Sequence, residues 1–155
     1  MIEYRHMDTA DESQVRALAR RGHPTWPSRP KFWYQANPTI VAVEDGEIIG
    51  SCSYTVDNHP AGNSFIMYFR DVCVDPAHQN RGIGRALQAQ RMSVGRYLGI
   101  QMFVGCTAPS NGPMRKLFTS MGFHACQRVP NHFAFNNPPE DGIIYIHSGD
   151  IDEES

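Results

Sequence analysis

Along the chain, short apolar runs alternate with stretches whose apolar residues recur every three or four positions. The first pattern predicts strands and the second helices. Ile2 to Met7 reads as a first strand. Asp8 or Thr9 then caps a helix with Val15, Leu18 and Ala19 on one face, stopped by Gly22 and Pro24. The segment HPTWPSRPKFWYQANP, rich in Pro and aromatics, predicts a loop with one short helix around Pro30 to Ala36. Thr39 to Val43 and Glu47 to Val56 make a hairpin about Glu44-Asp45-Gly46, and Ser64 to Val74 is a further strand that pairs with them. From Gly82 to Leu98 the residues Ile83, Leu87, Val94 and Leu98 keep near-helical spacing, and Gly99 ends the helix. Ile100 to Cys106 is a strand, and Asn111 to Met121 a short helix closed by Gly122. Phe123 to Phe135 and Ile143 to His147 are two late strands flanking the turn-rich NNPPEDG. The order β-α-α-β-β-β-α-β-α-β-β predicts an α/β (α+β) chain, a mixed sheet with helices on its faces.

Composition narrows this little. A chain of 155 residues with 41% hydrophobic and 19% charged residues fits one globular domain, here residues 1–150, followed by an acidic frayed tail at 151–155. The net charge of −2 draws it to neither nucleic acid nor an anionic membrane. No apolar run approaches the length of a membrane span, and MIEYRHMDTADES is too acidic and polar for a secretory signal. The four cysteines, Cys52, Cys73, Cys106 and Cys126, lie far apart without a CxxC pair, so they read as structural thiols of a reducing, cytoplasmic setting. The seven histidines are scattered, and no metal site is expected.

The chemistry concentrates in DVCVDPAHQNRGIGRALQ, Asp71 to Gln88. Two glycines at the mouth of a helix let a ligand approach the backbone, and the first amides of the helix have no internal partner. With the helix dipole they attract an anion, and Arg81 and Arg85 add charged donors. A P-loop would need Gly-Lys-Ser/Thr, which is absent. A dinucleotide fingerprint needs a third glycine where Leu87 stands, and an acidic residue near Val104-Gly105-Cys106.

Gln79-Asn80-Arg81-Gly82-Ile83-Gly84 resembles the Gln/Arg-x-x-Gly-x-Gly/Ala signature of the GNAT superfamily of acyl-CoA-dependent N-acyltransferases. Val72-Cys73-Val74-Asp75-Pro76 matches its strand end, and Asn111 to Gly122-Phe123 its second block. The element order fits over nearly the whole chain. The resemblance implies a GNAT fold: a mostly antiparallel sheet of about seven strands, splayed between strands 4 and 5 and flanked by about four helices. It implies that acetyl-CoA rests its diphosphate on the amides of Gln79 to Arg85. The pantetheine arm would run along Val72, Cys73 and Val74 as an added strand. Asn111, also a good helix N-cap, would bond the arm, and Phe118 would wall the thioester channel.

Transfer of the acetyl group to a primary amine requires loss of the amine's proton and a donor for the oxyanion, the latter placed at the Val74 N–H. The departing thiolate also gains from a proton. Many relatives carry a Tyr where this chain has Phe118, and some a Glu where it has Cys106. Asp71 is the candidate base, acting through water. Tyr68, His124, His132 and Cys106 are weaker substitutes. Trp26, Phe32, Trp33 and Tyr34 are candidates for the acceptor wall or, equally, for a lid packed on the core. The acceptor, a small molecule or a protein, is not named by the sequence. The competing readings are a non-catalytic acyl-CoA-binding module and a nucleotide-binding module of another fold. Relatives often pair through late strands, so a homodimer is one expectation that the sequence itself does not fix.

Overall fold

The computed structural model describes residues 1–58 and 65–148. The expected strand start at Ser64 and the tail at 151–155 lie outside the described residues. Seven strands form one mixed sheet: β1 (Glu3–His6), β2 (Thr39–Glu44), β3 (Glu47–Asn58), β4 (Phe65–Val74), β5 (Met102–Thr107), β6 (His124–Phe133) and β7 (Glu140–His147). Four α-helices accompany them: α1 (Glu12–Gly22), α2 (Trp33–Ala36), α3 (Ile83–Tyr97) and α4 (Gly112–Ser120). The strand order is β1-β2-β3-β4-β5-β7-β6. The pairings β1–β2, β2–β3, β5–β7 and β6–β7 are antiparallel, while β4 and β5 run parallel. That parallel ladder is in register only from Ile66↔Met102 to Tyr68↔Val104, although both strands continue beyond it. This is the GNAT-type sheet that the resemblance implies.

Local chemistry sets several boundaries. Asp45 (φ 51°) and Gly46 (φ 78°) are both left-handed, as the tight hairpin between β2 and β3 requires. Asp8 opens the first helical segment with a capping box. Its carboxylate accepts from Ala10 N–H, and Asp11 accepts from the Asp8 N–H at 2.9 Å. The result is a 3-10 turn over Thr9–Asp11 before α1 begins. The second helix is shorter than the predicted 30–36. β7 starts earlier than the predicted Ile143, because Glu140 already pairs with Phe133.

The chain forms two compact units, Met1–Thr55 with Arg70–Val94, and Val56–Phe69 with the chain from Gly95 onward. In the first unit, Val15 and Leu18 of α1 are buried against Tyr34, Val41, Ile48 and Cys73. Each such aliphatic side chain contributes roughly 1.5–3 kcal/mol. Gly50 lets α3 lie close on β3, since a Cβ there would meet Ile83 Cγ2 at 3.0 Å and Leu87 Cδ1 at 3.1 Å. The second unit has an aromatic core. Phe69 lies near Phe103 and Phe123, and Phe118 stacks on Tyr145 at 4.9 Å and 11°.

Candidate functional site

β4 delivers the chain to the motif. Asp75 N–H donates to Ile49 O at 2.8 Å, so by strand alternation the N–H groups of Val72 and Val74 point away from β3. Asp75 caps a 3-10 turn over Pro76–His78 by accepting from Ala77 N–H at 3.0 Å, and it takes a second bond from Arg21 at 3.0 Å. These donors, the amide first, hold its carboxyl below the usual range. The backbone then turns left-handed at Asn80 (φ 65°) and again at Gly82 (φ 76°) before α3 starts. Among the described residues, no protein acceptor meets the N–H of Gln79, Asn80, Arg81, Gly82, Ile83 or Gly84. The first bond across the helix start is Ala86 N–H to Gly82 O, 3.0 Å. A Cβ on Gly82 would meet nothing within 4 Å, and one on Gly84 only Val74 Cγ2 at 3.9 Å. A row of bare amides thus borders open space, the arrangement an oxyanion requires.

Of the two arginines of the motif, Arg81 is engaged within the protein. Arg81 forks onto Glu44 at 2.9 and 2.6 Å and holds that carboxyl below its ordinary range, so its guanidinium braces the hairpin end. Arg85 is exposed on the first turn of α3.

Asp71 is paired. Both its oxygens accept from Arg29 Nη2 at 2.5 Å, with the two side chains 20% and 27% exposed. The Arg29 guanidinium lies over Trp33 at 4.5 Å and Trp26 at 5.7 Å. His23 stacks on Trp26 at 4.0 Å and bonds Val72 O at 3.4 Å, and burial pushes its pKa down. His23, Trp26, Arg29 and Asp71, with Tyr34, Arg16 and Arg20, line a cavity of about 210 Å³. Of the four expected acceptor-wall residues, Trp26 and Tyr34 border it. Trp33 lies beneath Arg29, and Phe32 is exposed at 67%.

Below the same strand, Arg91 of α3 is 1% exposed. It donates to Ser53 O at 3.0 Å, Asp71 O at 3.1 Å and Gln88 Oε1 at 2.5 Å. Burial pulls its pKa down, yet a guanidinium so well bonded keeps its charge. It fixes the backbone of Asp71. Sequence reasoning passed over Arg91, Arg29 and His23. For Arg91 a signal existed: it continues the Ile83–Leu87 stripe by four residues, a cation placed in an apolar row.

In the second unit Asn111 caps α4, its Oδ1 accepting from Met114 N–H at 3.2 Å. Its Nδ2 has no partner among the described residues and is left to donate. Phe118 is 1% exposed and fills the space above Gly105, where a Cβ would come within 2.4 Å of its ring. Cys106 is half-buried beside Gly142, and burial raises its pKa. His124 is exposed, and His132 packs edge-on to Phe133 at 4.9 Å. All four cysteines are free; burial pushes the Cys52 and Cys73 thiols up to about 11, whereas Cys126 is exposed.

Comparison with known proteins agrees with this geometry. The L-methionine sulfoximine/L-methionine sulfone acetyltransferase of Salmonella typhimurium is 28% identical over 103 residues, 63% of this chain; the chain spans 60% of that relative's length. The ribosomal-protein-S18-alanine N-acetyltransferase of Escherichia coli superposes with TM-score 0.85 at 19% identity, over 100% of this chain and 98% of that one. Arabidopsis thaliana NAA60, solved with acetyl-CoA, gives 0.80 at 16% identity, over 96% and 99%. No helix among the described residues is long and apolar enough to cross a membrane. The profile of the Acetyltransferase (GNAT) family matches residues 7–123, and with the fold and the bare-amide loop it places this chain in that family.

Proposed function

We propose that this protein is an N-acetyltransferase that moves an acetyl group from acetyl-CoA to a primary amine by direct attack, in a single domain over residues 1–150. The observation that carries the reading is the run of unpartnered N–H groups from Gln79 to Gly84, at a helix mouth whose glycines leave room outside. Those amides hold the diphosphate, and Arg85 adds a charge beside them. Val72, Cys73 and Val74 present the strand edge for the pantetheine arm. The bound thioester supplies the activated acetyl group: as the amine nitrogen bonds to the carbonyl carbon the C–S bond breaks, and the departing CoA thiolate takes a proton from water.

The chain's own residues do the rest. Val74 N–H, aimed away from β3, stabilises the charge that develops on the carbonyl oxygen; one such donor is worth about 2.7–4 kcal/mol. Asp71 takes the amine's proton through water. Arg29 uses one lone pair on each carboxylate oxygen, and an ionised carboxylate has about four acceptor positions, so acceptor capacity remains. Orientation of the amine contributes as well, up to about 7–11 kcal/mol in favourable cases. Names of similar proteins span a modified amino acid and a ribosomal protein as acceptors, so both classes belong in a first screen.

Because Phe118 and Cys106 stand where relatives carry a Tyr and a Glu, a second reading is an acyl-CoA-binding module without turnover. Thiol release from acetyl-CoA separates the two. Release that depends on an added amine supports the enzyme. Binding of acetyl-CoA with no amine-dependent release across amino acids, peptides and polyamines supports the module. Sedimentation of the purified protein tests the homodimer.

A further inference from the structure

The cavity lined by α1, the following loop and Asp71 is positively charged beyond its own needs, and this deepens the proposed activity, on which it rests. Three guanidiniums border it, Arg16, Arg20 and Arg29, against one carboxylate, Asp71. Arg29 is matched by Asp71. Arg16 is matched by Glu12 at 3.1 Å and also donates to the carbonyls of Arg29 and Pro30, at 2.8 and 3.0 Å. The Arg20 side chain, exposed in the last turn of α1 at the cavity rim, has no ion pair or hydrogen bond among the described residues. Across the cavity lies Tyr34, only 8% exposed, whose hydroxyl also has no partner among the described residues. His23 adds no charge at neutral pH, because burial disfavours its protonated form.

We propose that the acceptor is a small amine that also carries an oxyanion, a carboxylate or a phosphate, held by Arg20 with the Tyr34 hydroxyl as second donor. The guanidinium fork matches either anion. A space of about 210 Å³ suits a molecule of amino-acid size. A polyamine, with several positive charges, meets an uncompensated cation instead.

The test is a set of matched acceptors in amine-dependent thiol release: L-amino acids against their amides, and glucosamine 6-phosphate against glucosamine. In the unaltered protein at least one anionic member should exceed its neutral partner roughly tenfold in kcat/KM, the scale of a charged hydrogen bond. Arg20→Ala should bring that ratio near one, and Arg20→Lys should restore part of it. The KM for acetyl-CoA should stay unchanged in both variants. Tyr34→Phe should lower the ratio a few-fold. Equal rates for anionic and neutral partners in both arms, or a ratio that survives Arg20→Ala, overturns the proposal. If no amine is turned over, the activity reading fails, and thermal-shift binding of the N-acetylated acids and amides decides the acceptor class separately. Stronger stabilisation by the anionic members, lost in Arg20→Ala, supports it; equal stabilisation overturns it.

Discussion

Gly84 and Gly105 lack the same atom for opposite reasons. At Gly84 a Cβ would reach only Val74 Cγ2 at 3.9 Å, so the missing side chain leaves space that the protein does not use. At Gly105 the space is taken by the Phe118 ring, within 2.4 Å of the same imagined atom. The first glycine belongs to a region built from unpartnered backbone, the second to a region built from close-packed rings. A region that answers to a ligand tolerates change in stability and loses affinity. A region that answers to itself loses stability.

The largest effect should fall on the packed side. Phe118→Ala removes a fully buried ring and should cost about 3–5 kcal/mol in denaturant unfolding; a loss under 1 kcal/mol would mean the ring is not a core element. Asp71→Asn should lower kcat by about 10²–10⁴ with acetyl-CoA affinity kept, as for loss of a general base. A drop smaller than tenfold assigns Asp71 to anchoring Arg29. On the open side, Gly84→Trp should weaken acetyl-CoA binding by about 100-fold or more, the worth of one or two charged hydrogen bonds, with little change in Tm. Unchanged affinity by calorimetry breaks the comparison.

Phe118→Tyr, which writes the family's usual residue into this chain, should not raise kcat. The ring tip already meets Gly105, so a hydroxyl there overpacks β5 and costs about 1–3 kcal/mol in thermal unfolding. A faster enzyme would show that α4 can shift to present the hydroxyl.

The smallest effect concerns pH. His23 has its folded pKa depressed by burial, so below about 6.5 the unfolded chain binds a proton that the folded one refuses, and stability falls as pH falls. His23→Gln should flatten that part of the Tm profile. Asp11 is held below its ordinary range chiefly by Arg5, and Asp75 chiefly by the Ala77 amide. Their contribution is present above about pH 4 and is lost below it in wild type and variant alike.

What could be read from the chain depended on whether the cause was local. The Asp45-Gly46 turn, the helix stops at Gly99 and Gly122 and the glycine turn that opens α3 were legible because each rests on a few consecutive residues. The early start of β7 was not, since Glu140 is placed by Ser110, whose N–H and hydroxyl it accepts at 3.1 and 2.6 Å, thirty residues away. The pairing of Asp71 with Arg29 was hidden for the same reason, as was the diversion of Arg81 to Glu44. Phe118 was legible as a departure from the family, but its burial depended on Gly105 and Tyr145, which sequence order does not bring together.

The uneven exposure of the four thiols has a practical consequence. A maleimide dye at neutral pH should attach first to Cys126 on β6, because Cys52 and Cys73 are buried and hard to ionise and Cys106 is half covered. The native chain therefore carries its own single labelling handle, placed away from the Gln79–Gly84 loop in sequence, for fluorescence experiments that need no engineered cysteine.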